Sequence, residues 1–201
     1  MPSASLSTAH DIFEALQLLI ADECRWDVNS QLSANKKLKI KEENPSSTIE
    51  WVQLEGFDGP VLAFKMDSAE GKISPLLNES CKDIHKGCDA VIFARLKGKN
   101  FVFICELKSG SPKGFTQQFQ STEAFLDYLN ALLSRFSAFS LCDFQRERIL
   151  FSTQNKNPVH SKRKSPQKIE KDSMSYFADT SCSRTNLRHI ERYISTKSIP
   201  K

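Results

Sequence analysis

The sequence predicts an α/β protein with a mixed central β-sheet flanked by helices. Three observations carry this. Two apolar runs, Ala90 to Ala94 and Phe101 to Leu107, stand on either side of a short polar break and read as paired strands. From Phe115 to Phe136 the apolar residues recur by fours and threes, the pattern of a helix with one buried face. Shorter β-branched and aromatic runs lie before and after, so the order is helix, strands, hairpin, helix, strand, an α/β sandwich.

The first helix begins near Ser7 to Asp11, with Thr8 and Asp11 at capping-box spacing, and continues through Ile12, Leu16, Leu19 and Ile20 on one face. Asn29 to Pro45 is polar and rich in lysine and reads as a loop or insertion. Thr48 to Leu54 alternates as a strand, Gly56 to Pro60 turns, and Val61 to Phe64 is a second strand. Residues 25–80 either extend the central sheet or cover it.

Cys81, His85 and Cys88 carry zinc-ligand chemistry, but their spacing fits no familiar pattern and a fourth ligand is missing. His85 and Lys86 are therefore expected beside a pocket entrance, with Cys88 packed as a small hydrophobe. The paired strands follow. Lys97 to Asn100 supplies the turn chemistry.

The hairpin places charges at the end of an otherwise apolar pair. Residues two apart on a strand share a face, so Glu106 and Lys108 point the way Val102 and Ile104 do. If Arg95 pairs with Asn100, Asp89 falls opposite Glu106 on that same face. A one-residue slip sends it to the other side. Two carboxylates and an ammonium above a dry wall suit Mg²⁺, which could polarise a phosphate and activate water.

Asp89, a strand, a turn, then Glu106-Leu107-Lys108 resembles the core signature of the PD-(D/E)xK nuclease superfamily. The likeness spans about Gly87 to Phe136, and Cys88 stands where the eponymous proline would be. It implies a restriction-endonuclease-like core. It also implies that Asp89 and Glu106 bind Mg²⁺ (with Mn²⁺ able to substitute), that Lys108 activates water or stabilises the transition state, and that Gln118 on the following helix joins the catalytic set. The function implied is hydrolysis of nucleic acid, DNA above RNA, with a protein partner supplying specificity in a restriction, repair or phage-defence system. The alternative is a catalytically silent module of the same fold that binds nucleic acid or protein.

Ser109 to Gly114 is a loop without Walker spacing, in which Lys113 is placed to touch a phosphate. The helix after it opens with Gln117, Gln118 and Gln120, and Arg148 to Ser152 is the last core strand. Beyond Thr153 the composition turns basic. Lys156, Lys162, Arg163, Lys164, Lys168 and Lys171 read as a flexible loop, with Lys162, Arg163 and Lys164 expected to grip nucleic-acid backbone. Asn186 to Ile194 reads as a short basic helix. The domain division is thus a core at 1–153 and a basic extension at 154–201.

Charge distribution agrees with a phosphate-bearing partner. Residues 1–80 hold 13 acids and 7 bases, and residues 81–201 hold 11 acids and 21 bases, so the half with the Asp and Glu-x-Lys residues is the basic one. No apolar run approaches the roughly 20 residues that span a bilayer. The N-terminus has no signal-peptide pattern, and the six cysteines form no CxxC pair, so a cytoplasmic protein with reduced thiols and no membrane partner is expected.

Overall fold

A computed structural model describes residues 6–26, 37–42, 47, 49–66, 74, 76–78, 80–109, 113–152, 167–171, 174–179 and 184–186. In chain order its elements are α1 (Ile12–Leu19), β1 (Lys37–Lys41), β2 (Trp51–Glu55), β3 (Val61–Phe64), β4 (Ala90–Leu96), β5 (Lys99–Lys108), α2 (Phe115–Phe136), β6 (Gln145–Ser152), β7 (Gln167–Lys171), β8 (Met174–Asp179) and β9 (Arg184–Asn186). Six strands form one sheet in the order β3-β4-β5-β6-β8-β7, and three form a smaller one in the order β1-β2-β9. The larger sheet is mixed: β4 pairs antiparallel with both β3 and β5, β6 pairs parallel with both β5 and β8, and β7 returns antiparallel at the edge.

Side-chain alternation on the hairpin sorts the molecule into three layers. Val91, Phe93, Val102 and Ile104 face a core shared with Leu16 of α1 and Phe119, Leu126 and Leu133 of α2. Ala90, Ile92, Phe101, Phe103 and Cys105 face the opposite core, closed by Leu38, Ile40, Val52 and Leu54 of the small sheet. Both helices therefore cover one face and the small sheet covers the other, which corrects the expectation of a sheet flanked by helices. The stretch 25–80 does both things open to it: β3 extends the large sheet, and β1 and β2 cover it.

β1 lies inside the stretch expected to be a loop. Its lysines obscure a strict alternation in which Leu38 and Ile40 are fully buried and Lys39 and Lys41 are exposed. Part of the basic extension is strand where its composition suggests loop. Residues 167–171 form an edge strand, where lysine is favoured because it discourages further pairing. Next to it, β8 buries Tyr176 and Phe177, one in each core. Asn186 ends β9 instead of opening a helix, and the rest of that expected helix lies outside the described residues.

Two ends are set by local chemistry. α1 starts at Asp11, whose side chain accepts from the Glu14 amide at 2.8 Å while Glu14 Oε2 accepts from the His10 amide at 2.6 Å. The capping box is therefore Asp11 with Glu14, one turn later than Thr8 with Asp11. The β4–β5 turn is two residues, Lys97 and Gly98, both at positive φ (49° and 79°), which matches the right-handed twist of the strands. Among the described residues no helix is long and apolar enough to cross a membrane.

Candidate active site

The hairpin register decides the site. Arg95 pairs with Asn100 and Ala90 with Cys105, so Asp89 stands one step beyond the last pair, level with Glu106. The ladder does not stop abruptly there: the Leu107 amide donates to Asp89 Oδ2 at 2.6 Å, the carboxylate taking the place of a backbone carbonyl. Asp89 has the parity of Val91 and Phe93, and Glu106 that of Val102 and Ile104, so both belong to the helix-covered face.

Glu106 is fully buried, and its Oε1 lies 2.6 Å from Lys108 Nζ, whose side chain is 26% exposed. The Asp89 amide and the Gln118 side chain also act on the carboxylate. Even so, neither carboxylate oxygen completes a well-angled hydrogen bond. Burial pushes the Glu106 carboxyl up to about 6, against the opposing pull of Lys108, the Asp89 amide and Gln118. Asp89 is half-buried and is also raised well above the ordinary carboxylate range, first by burial and then by the Glu106 charge, with the Leu107 amide acting the other way. Glu42, just past β1, adds to this repulsion. The adjacent thiols of Cys88 and Cys105 are pushed up by burial and by these carboxylates, so they stay protonated and are poor nucleophiles.

α2 holds the approach to Asp89 through three side chains. Gln118 Nε2 donates to the Gly87 carbonyl at 3.2 Å, Ser121 Oγ to the Ile84 carbonyl at 2.7 Å, and the Cys88 amide donates to Thr122 Oγ1 at 3.0 Å. Thr122 is fully buried, and the hydroxyl in the middle of the apolar stripe answers a buried amide that would otherwise lack a partner. Close packing requires glycine at 87: a Cβ there would stand 2.4 Å from Met66 Cβ. The helix itself is tied to β6 by Arg146 Nη2 to Asp127 Oδ1 at 2.7 Å and by Arg148 to Glu123.

Of the residues singled out by sequence, Asp89, Glu106, Lys108 and Gln118 are brought together. Lys113 is exposed at the entry to α2. Lys162, Arg163 and Lys164 lie outside the described residues. Thr122, Ser121 and Glu42 were not singled out as site residues. A lone hydroxyl residue at a buried position of a helical stripe is the signal that identifies Thr122.

The donor set fits a hard divalent cation. Mg²⁺ is bound by one or two carboxylates, with water and substrate phosphate completing its shell. Asp89 and Glu106 are the two carboxylates at this site, and among the described residues no group of three or more His, Cys, Asp and Glu side chains assembles. Along α2 lies a mostly apolar groove of about 720 Å³, bordered by Leu76, Leu77, Ile84, Gln120, Phe125 and Tyr128. No protein-family model, curated protein or solved structure matches the chain.

Proposed function

We propose that the chain is a divalent-metal-dependent nuclease of the PD-(D/E)xK kind, with a restriction-endonuclease-like core. The carrying observation is Glu106: a fully buried carboxylate, short of complete hydrogen bonds, level with Asp89 and beside Lys108. A buried ionisable pair with raised proton affinity is costly to the fold, and functional sites are where such cost persists. Asp89 and Glu106 would hold Mg²⁺ or Mn²⁺, which when bound polarises phosphate and acidifies water.

The protein's own contributions follow from position. Glu106 and Asp89 present carboxylate oxygens at one sheet end, next to the apolar wall of Val102 and Ile104. Lys108, anchored on β5 with its side chain partly in solvent, offers positive charge where a phosphate gains negative charge. Gln118 acts on Glu106 and fixes the Gly87 carbonyl, which sets the approach to Asp89. Nucleic acid, DNA in preference to RNA, is the proposed substrate, with a protein partner supplying specificity in a restriction, repair or phage-defence setting.

The test is cleavage of labelled single- and double-stranded DNA and RNA with Mg²⁺, Mn²⁺ or chelator. Metal-dependent cleavage by the wild type, lost in Lys108→Ala, is the expected outcome. A wild type that binds these probes but cuts none would favour the silent binding module, in which Lys108 and Glu106 form only an internal ion pair.

A further inference from the structure

The small sheet is apolar inside and basic outside. β1 reads Lys37-Leu38-Lys39-Ile40-Lys41, and burial of Leu38 and Ile40 turns all three lysines to the outer face. Alternate strand residues stand about 6.6 Å apart, so these bases form a straight row. β2 runs beside it with Trp51 opposite Lys41, Gln53 opposite Lys39 and Glu55 opposite Lys37. Lys39 Nζ sits 4.3 Å from the centroid of the Trp51 ring, a cation–π contact on an open face. Among these six residues Glu55 is the one acid, and β9 sets Arg184 beside Gln53 in register.

The row has a direction. β1 runs from Lys37 through Lys41 into Glu42, and the Glu42 charge is felt at Asp89. The Lys41 end of the row is therefore the end nearer the carboxylates. A solvated surface mixes both signs. A row of one sign with an aromatic ring beside it is instead the footing of a single-stranded nucleic acid, where ammonium groups track the backbone and a ring meets a base.

We propose that the outer face of β1 and β2 binds single-stranded nucleic acid, with Lys37, Lys39 and Lys41 on successive phosphates and Trp51 against a base. Binding here needs no metal. That the strand then leads to Asp89 and Glu106 rests on the nuclease reading above.

The experiment is fluorescence anisotropy of a labelled single-stranded DNA oligonucleotide with the full chain, in chelator, over a range of salt. Wild type is compared with a Lys37→Gln, Lys39→Gln, Lys41→Gln triple variant and with the same three positions changed to Arg. The Gln triple should bind at least about tenfold more weakly at low salt, and its log–log salt slope should fall by about 2, since each lost phosphate contact on a single strand removes about 0.7. The Arg triple should keep both. Binding should also change the Trp51 emission as Lys39 leaves the ring, a signal lost in Trp51→Phe. Equal affinity and slope for wild type and Gln triple would overturn the proposal, as would equal loss on a duplex probe, which points to charge without strand preference. Cleavage with Mg²⁺, assayed in parallel, separates the two readings. No cleavage with the expected binding losses refutes the nuclease and leaves the track standing. Cleavage with unchanged binding does the reverse.

Discussion

Glu106→Gln should make the metal-free protein more stable near pH 8 while abolishing metal-dependent cleavage. The carboxyl holds its proton more tightly in the folded chain than in the unfolded one, with a pKa of about 6 against an ordinary 4.5. Its contribution therefore favours the fold most below about pH 4.5 and declines as pH rises through about 6. A shift of that size is worth about 2 kcal/mol, all of it lost by pH 8. The neutral amide carries no such penalty, and it also removes the charge that helps to raise Asp89. For a chain of this length about 2 kcal/mol is roughly 4–8 °C in Tm. Lys108 loses its partner, but its partly exposed side chain can turn its ammonium to water. The assay is thermal and urea unfolding of both proteins in chelator from pH 4 to pH 8. The two stability curves should converge towards pH 4 and separate above pH 6, with the variant higher. A variant less stable than wild type at pH 8 would refute the claim that the buried charge is a burden, and the ion pair with Lys108 would then be a structural one.

Two further changes probe how α2 positions Asp89. Thr122→Val keeps the side-chain shape but leaves the Cys88 amide without an acceptor in a buried place. It should cost about 1–3 kcal/mol in urea unfolding, most of it restored in Thr122→Ser. Gly87→Ala forces a methyl to within 2.4 Å of Met66 Cβ and 3.1 Å of the Met66 carbonyl carbon, so backbone as well as side chain must move. It should destabilise by about 1–3 kcal/mol and, by displacing the Gln118 anchor, weaken Mn²⁺ binding measured by calorimetry; unchanged affinity would count against that anchoring role.

The hairpin and α2 were legible because their signals are local. Phe101 to Leu107 is a central strand with both faces buried, and the stripe of α2 needs only its own sequence to be read. The face shared by Asp89 and Glu106 followed from counting residues across the turn. Elements whose signal is a relation between distant segments were harder to see. β1 carries its two buried residues between three lysines, and β7 exposes Lys168, Ile169 and Glu170 at a sheet edge. Composition reads both as loop. Thr122 lies within the buried stripe of α2, but its role depends on an amide 34 residues away. Both helices settle on one face because the small sheet occupies the other, and that choice is made by tertiary packing.

The position of β8 and β9 bears on how the chain can be cut. Composition suggests trimming after residue 153, yet β6 pairs with β8 and β2 pairs with β9, so a chain ending there has two open hydrogen-bonding edges. It also loses Tyr176 from one core and Phe177 from the other. Gln53 finds its neighbour Arg184 only across more than half the chain, a closure that comes at high entropic cost and favours slow folding. Until the last strands arrive, a nascent chain presents one open edge on each sheet, that of β2 and that of β6. Premature termination or proteolysis in the basic stretch would thus yield a self-associating fragment, not a smaller folded protein.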